Sequence, residues 1–522
     1  MKIVTTAQMR ELDRQAIASG VPGLSLMERA GEGVANFIES LLPFHSDEGQ
    51  AAKRRIAFLC GRGNNGGDGF VAARLLRQRR RDLDLSVYLA ASPAEVRGDA
   101  KANLKRLQKA GCQVVHLPAV SKDWLAGEGT LIVDALLGTG VSGEVSGSLG
   151  ELIDAINSAG RPVLSVDIPS GLDADSGRPC GRAVRATWTL TMGLPKIGLL
   201  LSPGLDYAGR VEVIDIGLPG NLVEASPSVA EMTDDALARS LLPRRARGAH
   251  KGDAGRVLVI AGSPGLTGAA ALCSEAALRA GAGLVTLALP LSLNDLMEVK
   301  LTEVMTCPLP ETGQRTLALA ALPALEEMAA ACDAVALGPG LSRQSETQQF
   351  VRRLVPRIGK PAVIDADGLN ALAEDASPLE SDHAPLLLTP HPGELARFFK
   401  IGGAEIQTDR LGRAQAAADR FHSTVLLKGA CSVIIAPGER VHINPTGNPG
   451  MATGGTGDVL TGVAAALLAQ GLSPFDCARL AAYLHGLAGD LAAEQMGELG
   501  MIAGDVLRWL PHALCALQDS LA

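Results

Sequence analysis

The most constraining feature of this chain is a repeated unit: a short, wholly apolar run, a turn rich in glycine, aspartate or asparagine, and then a helix. Ile56 to Cys60 shows it first. Gly61-Arg62-Gly63-Asn64-Asn65-Gly66-Gly67-Asp68-Gly69-Phe70 follows at once, and a helical stretch runs from Val71 to about Arg80. An apolar run without polar alternation is the mark of a parallel strand buried on both faces. Leu85–Ala90, Val114–Leu117, Leu131–Asp134, Val163–Asp167, Thr187–Met192 and Val211–Ile216 read as further strands, several of them separated by helical segments. Alternation of this kind predicts an open, mostly parallel sheet with helices on both faces. Ahead of it, Thr5 and Gln8 have the spacing of a capping box and open a helix, and a second helix lies around Leu24 to Leu42.

Length and charge narrow the functional classes. The 522 residues suffice for two domains with substantial cores, and 60 glycines suit the many turns of an α/β protein. A net charge of −8 gives no reason to expect nucleic acid or an acidic membrane surface as a partner. The nine cysteines stand singly without a Cys-x-x-Cys pair, which fits reduced thiols in a cytoplasmic protein. No histidine spacing of zinc-site type occurs. The N-terminus lacks the apolar core of a signal peptide, and the most apolar helix, Val459 to Ala469, is too short to span a bilayer.

In a sheet of this kind, ligands bind beyond the carboxyl ends of the strands. Three polar motifs fall there in the first half: Asn64-Asn65-Gly66-Gly67-Asp68, Asp134-Ala135-Leu136-Leu137-Gly138-Thr139-Gly140, and Asp167-Ile168-Pro169-Ser170-Gly171-Leu172. Each alone is explained equally well by turn chemistry, whereas three on one edge indicate a site. None is a P-loop, and Gly61-x-Gly63-x-x-Gly66 is only a loose dinucleotide match. Together the three resemble the NAD(P)H-hydrate epimerase family over residues 1–220. The resemblance implies a Rossmann-like three-layer α/β/α domain that interconverts the R and S forms of nicotinamide hydrated at C6. It implies that Asn64, Asn65, Gly66, Gly67, Asp68, Gly138, Thr139, Gly140, Val141, Ser142, Gly143 and Glu144 line the substrate. It also implies that Asn65, Asp134 and Ser170 hold K⁺, and that Asp167 touches the substrate as acid/base. Oxygen ligands suit a hard monovalent cation, and epimerising a hemiaminal carbon needs proton transfer rather than redox chemistry.

Leu218 to Ser228 lacks periodicity, contains Pro219 and Pro227, and reads as a linker. Arg244 to Gly252 is a basic stretch, more simply a solvated loop than a phosphate-facing lid. A second α/β pattern starts at Arg256, with strands at Arg256–Gly262, Leu284–Leu289, Ala334–Leu337, Ala362–Asp365, Leu386–Leu388 and Val425–Lys428, and a small-residue helix from Thr267 to Ala280. Near the C-terminus, Asn444-Pro445-Thr446-Gly447-Asn448 leads to Gly454-Gly455-Thr456-Gly457-Asp458-Val459-Leu460 and an alanine-rich helix. Glycines ahead of a helix let N–H groups converge on an anion, and a carboxylate beside them reads as a base next to phosphate charge. These motifs, with Thr389-Pro390-His391-Pro392-Gly393-Glu394 and Leu427-Lys428-Gly429, resemble the ADP/ATP-dependent NAD(P)H-hydrate dehydratases, a ribokinase-like α/β/α branch. The resemblance covers 228–522. It implies that Ala270, Gly340, His391 and Asp458 meet the hydrated nicotinamide, and that Lys428, Gly429, Ala430, Cys431, Ser432 and Gly457 hold ADP, with Mg²⁺. Both families on one chain resemble the bacterial bifunctional NAD(P)H-hydrate repair enzymes.

The expected chemistry is transfer of phosphate from ADP to the C6 hydroxyl of the S hydrate, with Asp458 as base and loss of that phosphate, after epimerisation of the R form. NADHX, NADPHX and ADP are the expected small molecules, and a homo-oligomer the expected assembly. Two rivals stand beside this reading: a ribokinase-like kinase for a vitamin precursor, and a first half that is a non-catalytic nucleotide-binding module.

Overall fold

The computed structural model describes residues 1–42, 55–117, 129–141 and 143–519. The chain divides into two compact units, Met1–Ala230 and Glu231–Ala522.

In the first unit seven parallel strands lie in the spatial order Val114–His116, Asp84–Leu89, Arg55–Cys60, Thr130–Ala135, Val163–Val166, Trp188–Met192 and Arg210–Ile214. The apolar runs serve two cores at once. Ile56, Phe58 and Cys60 face one buried cluster while Leu59 faces another, and Val133 and Ile132 divide in the same way. Side chains alternate across a strand, so a run apolar at every position supplies both helix layers. The three-layer architecture follows. Thr5 caps the helix Thr6–Ala18 in a capping box with Gln8, as the spacing predicts.

One boundary differs in a way that matters for the site. The helix expected from Val71 begins at Asn64 and runs to Arg79, so the asparagine-rich segment is helix rather than turn. Small residues permit this: a Cβ on Gly66 would stand 2.0 Å from the Gly61 carbonyl oxygen, and one on Gly67 would stand 2.7 Å from Met27 Sδ. Gly66 and Gly67 are therefore needed for close packing. The expected linker, 218–228, contains a helix, Gly220–Ala225.

The second unit orders its strands Ala230–Met232 (at the unit boundary), His442–Ile443, Val433–Ile435, Thr424–Leu427, Leu386–Leu388, Ala362–Ile364, Ala334–Leu337, Arg256–Ile260, Leu284–Pro290 and Met305–Leu309. From Thr424–Leu427 to Met305–Leu309 the pairing is parallel; Val433–Ile435 pairs antiparallel with both neighbours. The strands Met305–Leu309, Val433–Ile435 and His442–Ile443 were not foreseen; each is short or interrupted by proline or histidine. Helices Thr267–Arg279, Thr456–Ala469 and Pro474–Met496 cover the sheet with an alanine-rich core. Close helix contact follows from small side chains, since a Cβ on Gly462 would lie 2.1 Å from the Cys273 carbonyl oxygen. Both units therefore have the α/β architecture expected of them.

In each unit the first long strand lies mid-sheet, with the chain moving to one side of it and then the other. This creates a switch point beyond Cys60 and Ala135 in the first unit, and beyond Ile260 and Leu337 in the second.

Candidate active sites

The switch point of the first unit opens into a cavity of about 750 Å³, lined by Asn64, Asn65, Asp68, Gly138, Thr139, Gly140, Val141 and Asp167 among the residues expected there. Gly66, Gly67, Gly143 and Glu144 are not among its lining. Ser142 lies outside the described residues.

Asp167 follows the strand Val163–Val166 at φ +65°, a backbone conformation that strains a non-glycine residue. Its side chain caps no turn. Instead Oδ1 accepts from Lys196 Nζ at 2.6 Å, from the Met192 N–H at 3.1 Å and from Thr191 Oγ1 at 3.4 Å. Lys196 is 1% exposed and donates its other protons to Thr191 Oγ1 (3.1 Å) and the Met192 carbonyl (2.9 Å). Two more carboxylates line the same space. Burial, reinforced by Asp167, pushes Asp13 up to about 6 against the pull of Lys196. Asp68 is pushed well above the usual carboxylate range by burial and by Asp167 and Asp13.

Asn65 and Ser170 meet at the Leu137 main chain beside this cavity, and Ser170 links Asp134 to them. Asn65 Nδ2 donates to the Leu137 carbonyl at 2.8 Å, and Ser170 Oγ accepts from the Leu137 N–H at 2.8 Å. Ser170 Oγ in turn donates to Asp134 Oδ1 at 2.5 Å, and Asp134 Oδ2 accepts from Ser165 Oγ (2.8 Å) and the Ser170 N–H (2.9 Å). Asp134 is fully buried, and burial raises its carboxyl in spite of these bonds. Asn65 Oδ1, by contrast, is buried without a hydrogen-bond partner among the described residues. An orphaned, buried oxygen, joined through Leu137 and Ser170 to a buried carboxylate, gives a set of oxygen donors whose chemistry fits a monovalent cation.

In the second unit Gly455, at φ +97°, precedes the helix Thr456–Ala469, and Asp458 lies in its first turn. Thr456 Oγ1 closes the turn through the Met451 and Thr453 carbonyls, each at 3.1 Å. Beneath it Lys428 Nζ meets Asp365 Oδ1 at 2.5 Å and Glu394 Oε2 at 3.9 Å, while Thr461 Oγ1 donates to Asp365 Oδ2 at 2.7 Å. A Cβ on Gly457 would lie 3.4 Å from Lys428 Nζ, so the glycine turn sits directly on this ion pair. Burial, with Asp365 and Asp367 adding to it and Lys428 opposing it, pushes Asp458 up to about 7. Burial also takes Glu394 to about 7.

His391 plays the helix-start role as well as presenting a face to solvent. Its Nδ1 accepts from the Gly393 and Glu394 N–H groups, Glu394 returns the bond to the His391 N–H at 2.8 Å, and the ring remains 51% exposed. Burial and the nearby Lys428 lower its proton affinity, leaving neutral imidazole favoured. Gly340, at φ +63°, lies at the switch point, where its carbonyl accepts from Ser263 Oγ at 2.8 Å. Ala270 is 1% exposed and its methyl belongs to the core. Lys428–Ser432 is the turn of an antiparallel hairpin: Ser432 Oγ donates to the Gly429 carbonyl, and Cys431 has φ +49°. Among the described residues no group of three or more His, Cys, Asp or Glu side chains is arranged to hold a metal ion.

Residues 257–512 match the family described as NAD(P)H-hydrate dehydratase, and residues 23–198 that described as YjeF-related protein N-terminus. The "Bifunctional NAD(P)H-hydrate repair enzyme Nnr" of Moorella thermoacetica is 48% identical over 100% of this chain and 98% of its own. The chain belongs to the bifunctional NAD(P)H-hydrate repair enzyme family. The protein of that name from Escherichia coli is 37% identical over 94% of this chain and 90% of its own. A solved Bacillus subtilis ADP/ATP-dependent NAD(P)H-hydrate dehydratase, co-crystallised with ATP and Mg²⁺, is 28% identical, covers 55% of this chain and 99% of its own, and has a TM-score of 0.48.

For this repair-family chain the sequence motifs located the strand-end residues and missed their partners. Asp13 sits on a helix far upstream, where it reads as part of a wet face. Lys196 follows Met192-Gly193-Leu194-Pro195 beyond the carboxyl end of a strand, and its place on that edge was the available signal. Arg410, buried behind the hairpin with Nη2 on the Leu427 carbonyl at 3.1 Å, carried no motif at all.

Proposed function

We propose that this repair enzyme works through two separate centres. Residues 1–220 equilibrate R and S hydrates of NADH and NADPH around Asp167. Residues 228–522 dehydrate the S hydrate with consumption of ADP around Asp458. The observation that carries the second assignment is Asp458 itself: a carboxylate in the first helical turn after a glycine loop, with a proton affinity matched to neutral pH.

At that centre Asp458 takes the proton of the C6 hydroxyl as its oxygen attacks the terminal phosphorus of ADP. The N–H groups of Gly455 to Gly457 and the helix start favour the charge on the phosphoryl oxygens. Lys428, held by Asp365, places positive charge below the turn. AMP departs; the C6–O bond then breaks as phosphate leaves with its electron pair, and loss of a C5 proton restores the dihydropyridine. Mg²⁺ arriving with the nucleotide would offset phosphate charge. His391, Gly340 and Ala270 belong to the hydrate side, and Lys428, Gly429, Ala430, Cys431, Ser432 and Gly457 to the nucleotide side. In the first unit Asn65, Asp134 and Ser170 would hold K⁺, whose charge would stabilise an anionic group of the bound dinucleotide. A cytoplasmic location, a homo-oligomer and the absence of a nucleic-acid partner complete the reading. Among the described residues no helix is long and apolar enough to cross a membrane.

Purified protein incubated with mixed NADH hydrates, Mg²⁺ and ADP should return reduced-nicotinamide absorbance from both epimers, with ATP run in parallel to set the donor preference. No recovery beyond a heat-killed control would sink the proposal. Asp167→Ala should leave only the S hydrate repairable at the enzymatic rate.

A further inference from the structure

We propose that Asp13 is the second catalytic residue of the epimerisation, protonating the departing C6 hydroxyl on one face of the ring while Asp167 takes the proton of the water that adds to the other. This rests on the assignment of Asp167 as acid/base. Three observations support it. Asp13 and Asp167 reach the same cavity from unrelated elements, the helix Thr6–Ala18 and the end of the strand Val163–Val166. Their roles are made unequal by Lys196, whose ammonium contacts Asp167 at 2.6 Å, so that the pair holds one carboxylate with a cation on it and one without. Asp13 Oδ1 is buried and has no hydrogen-bond partner among the described residues. A neutral carboxyl is what such a position favours, and burial does hold the proton there to about 6. The other charged groups lining the cavity are Arg10, Arg62, Asp68, Glu95 and Asp99.

The chemistry balances. The hydrate is a hemiaminal, so the lone pair of the ring nitrogen can form a C=N bond as the C6–O bond breaks. The leaving hydroxyl takes the Asp13 proton and departs as water. A water on the opposite face then forms a new C6–O bond, the C=N electron pair returns to nitrogen, and Asp167 accepts the surplus proton. The reverse reaction starts from the state the forward one leaves, with one proton shared between two carboxylates throughout. Asp68 is buried beside them, and burial together with Asp167 and Asp13 shifts its carboxyl towards the protonated form.

The test measures R–S exchange above the spontaneous rate in heavy-oxygen water, for the full-length enzyme and its variants. Each exchange should place one solvent oxygen at C6. Asp13→Asn should lower kcat by at least ~100-fold with KM within a few-fold, and Asp13→Glu should recover part of the loss. In the unaltered enzyme kcat should fall about tenfold per pH unit above about 6, as Asp13 gives up its proton. Exchange that retains the original oxygen, or a full rate in Asp13→Asn while Asp167→Ala is dead, overturns the role of Asp13 and leaves Asp167 standing. A full rate in Asp167→Ala removes the assignment on which both depend.

Discussion

The two centres use the same charges in opposite ways. Each gathers three carboxylates around one lysine: Asp13, Asp68 and Asp167 around the buried Lys196, and Asp365, Glu394 and Asp458 around the partly buried Lys428. In the first unit the lysine is bonded to the carboxylate that we assign to the chemistry. In the second it is bonded to Asp365, a supporting residue, and the assigned base Asp458 stands apart with a raised proton affinity. The difference suits the tasks. Epimerisation needs an acid and a base that can be told apart, and a cation on one member of a pair does that. Phosphoryl transfer needs one base and a site for incoming phosphate, and a lysine pinned below the glycine turn leaves the base unneutralised until the nucleotide arrives.

Asp458→Asn should have the largest effect, lowering ADP-dependent dehydration of pure S hydrate by ~10²–10⁴-fold while R–S exchange keeps its rate; loss of both would end the picture of separate centres. Next come the lysines. Lys428→Met strands Asp365, whose side chain is 2% exposed, and should cost about 3–5 kcal/mol of stability by thermal or denaturant unfolding. Lys196→Met should fall at or below the lower end of that ~3–5 kcal/mol, because Asp167 is 16% exposed and keeps some solvation. Equal losses would mean that the two pairs are buried alike. The centres should also respond to pH with opposite signs. Dehydration requires ionised Asp458, so its kcat should rise about tenfold per unit up to about pH 7 and then level off, whereas exchange falls above about 6. Parallel profiles would break the comparison. Replacing K⁺ by a bulky organic cation should weaken hydrate binding at the first centre alone, as should Asn65→Ala. The smallest change is Gly457→Ala. Its new methyl would approach Lys428 Nζ to 3.4 Å, and a few-fold rise in KM for ADP with little change in kcat is expected.

Much of the architecture was legible because burial on both faces leaves an unmistakable pattern. Strands such as Ala334–Leu337 and Leu386–Leu388 coincide with their apolar runs. Edge and hairpin strands were not legible, since Met305–Leu309 includes proline and His442–Ile443 is two residues long. The start of the helix at Asn64 was hidden by its glycines, which read as a turn until the packing against Gly61 and Met27 is known. Site residues divide along the same line. Those embedded in glycine motifs at strand ends could be found, because turn geometry and chemistry coincide there. Asp13 and Lys196 come to the first site, and Arg410 to the back of the Lys428 hairpin, from helices and loops whose local sequence obeys ordinary amphipathic rules, so only the folded chain brings out their places.

An ammonium has three protons to give, and those of Lys196 go to Asp167, Thr191 and the Met192 carbonyl, in a side chain 1% exposed. Amine-directed electrophiles should therefore pass this lysine by, however well a warhead fits the cavity in front of it. A selective covalent probe of the epimerase centre would have to be built for carboxyl chemistry, with Asp13 as its anchor.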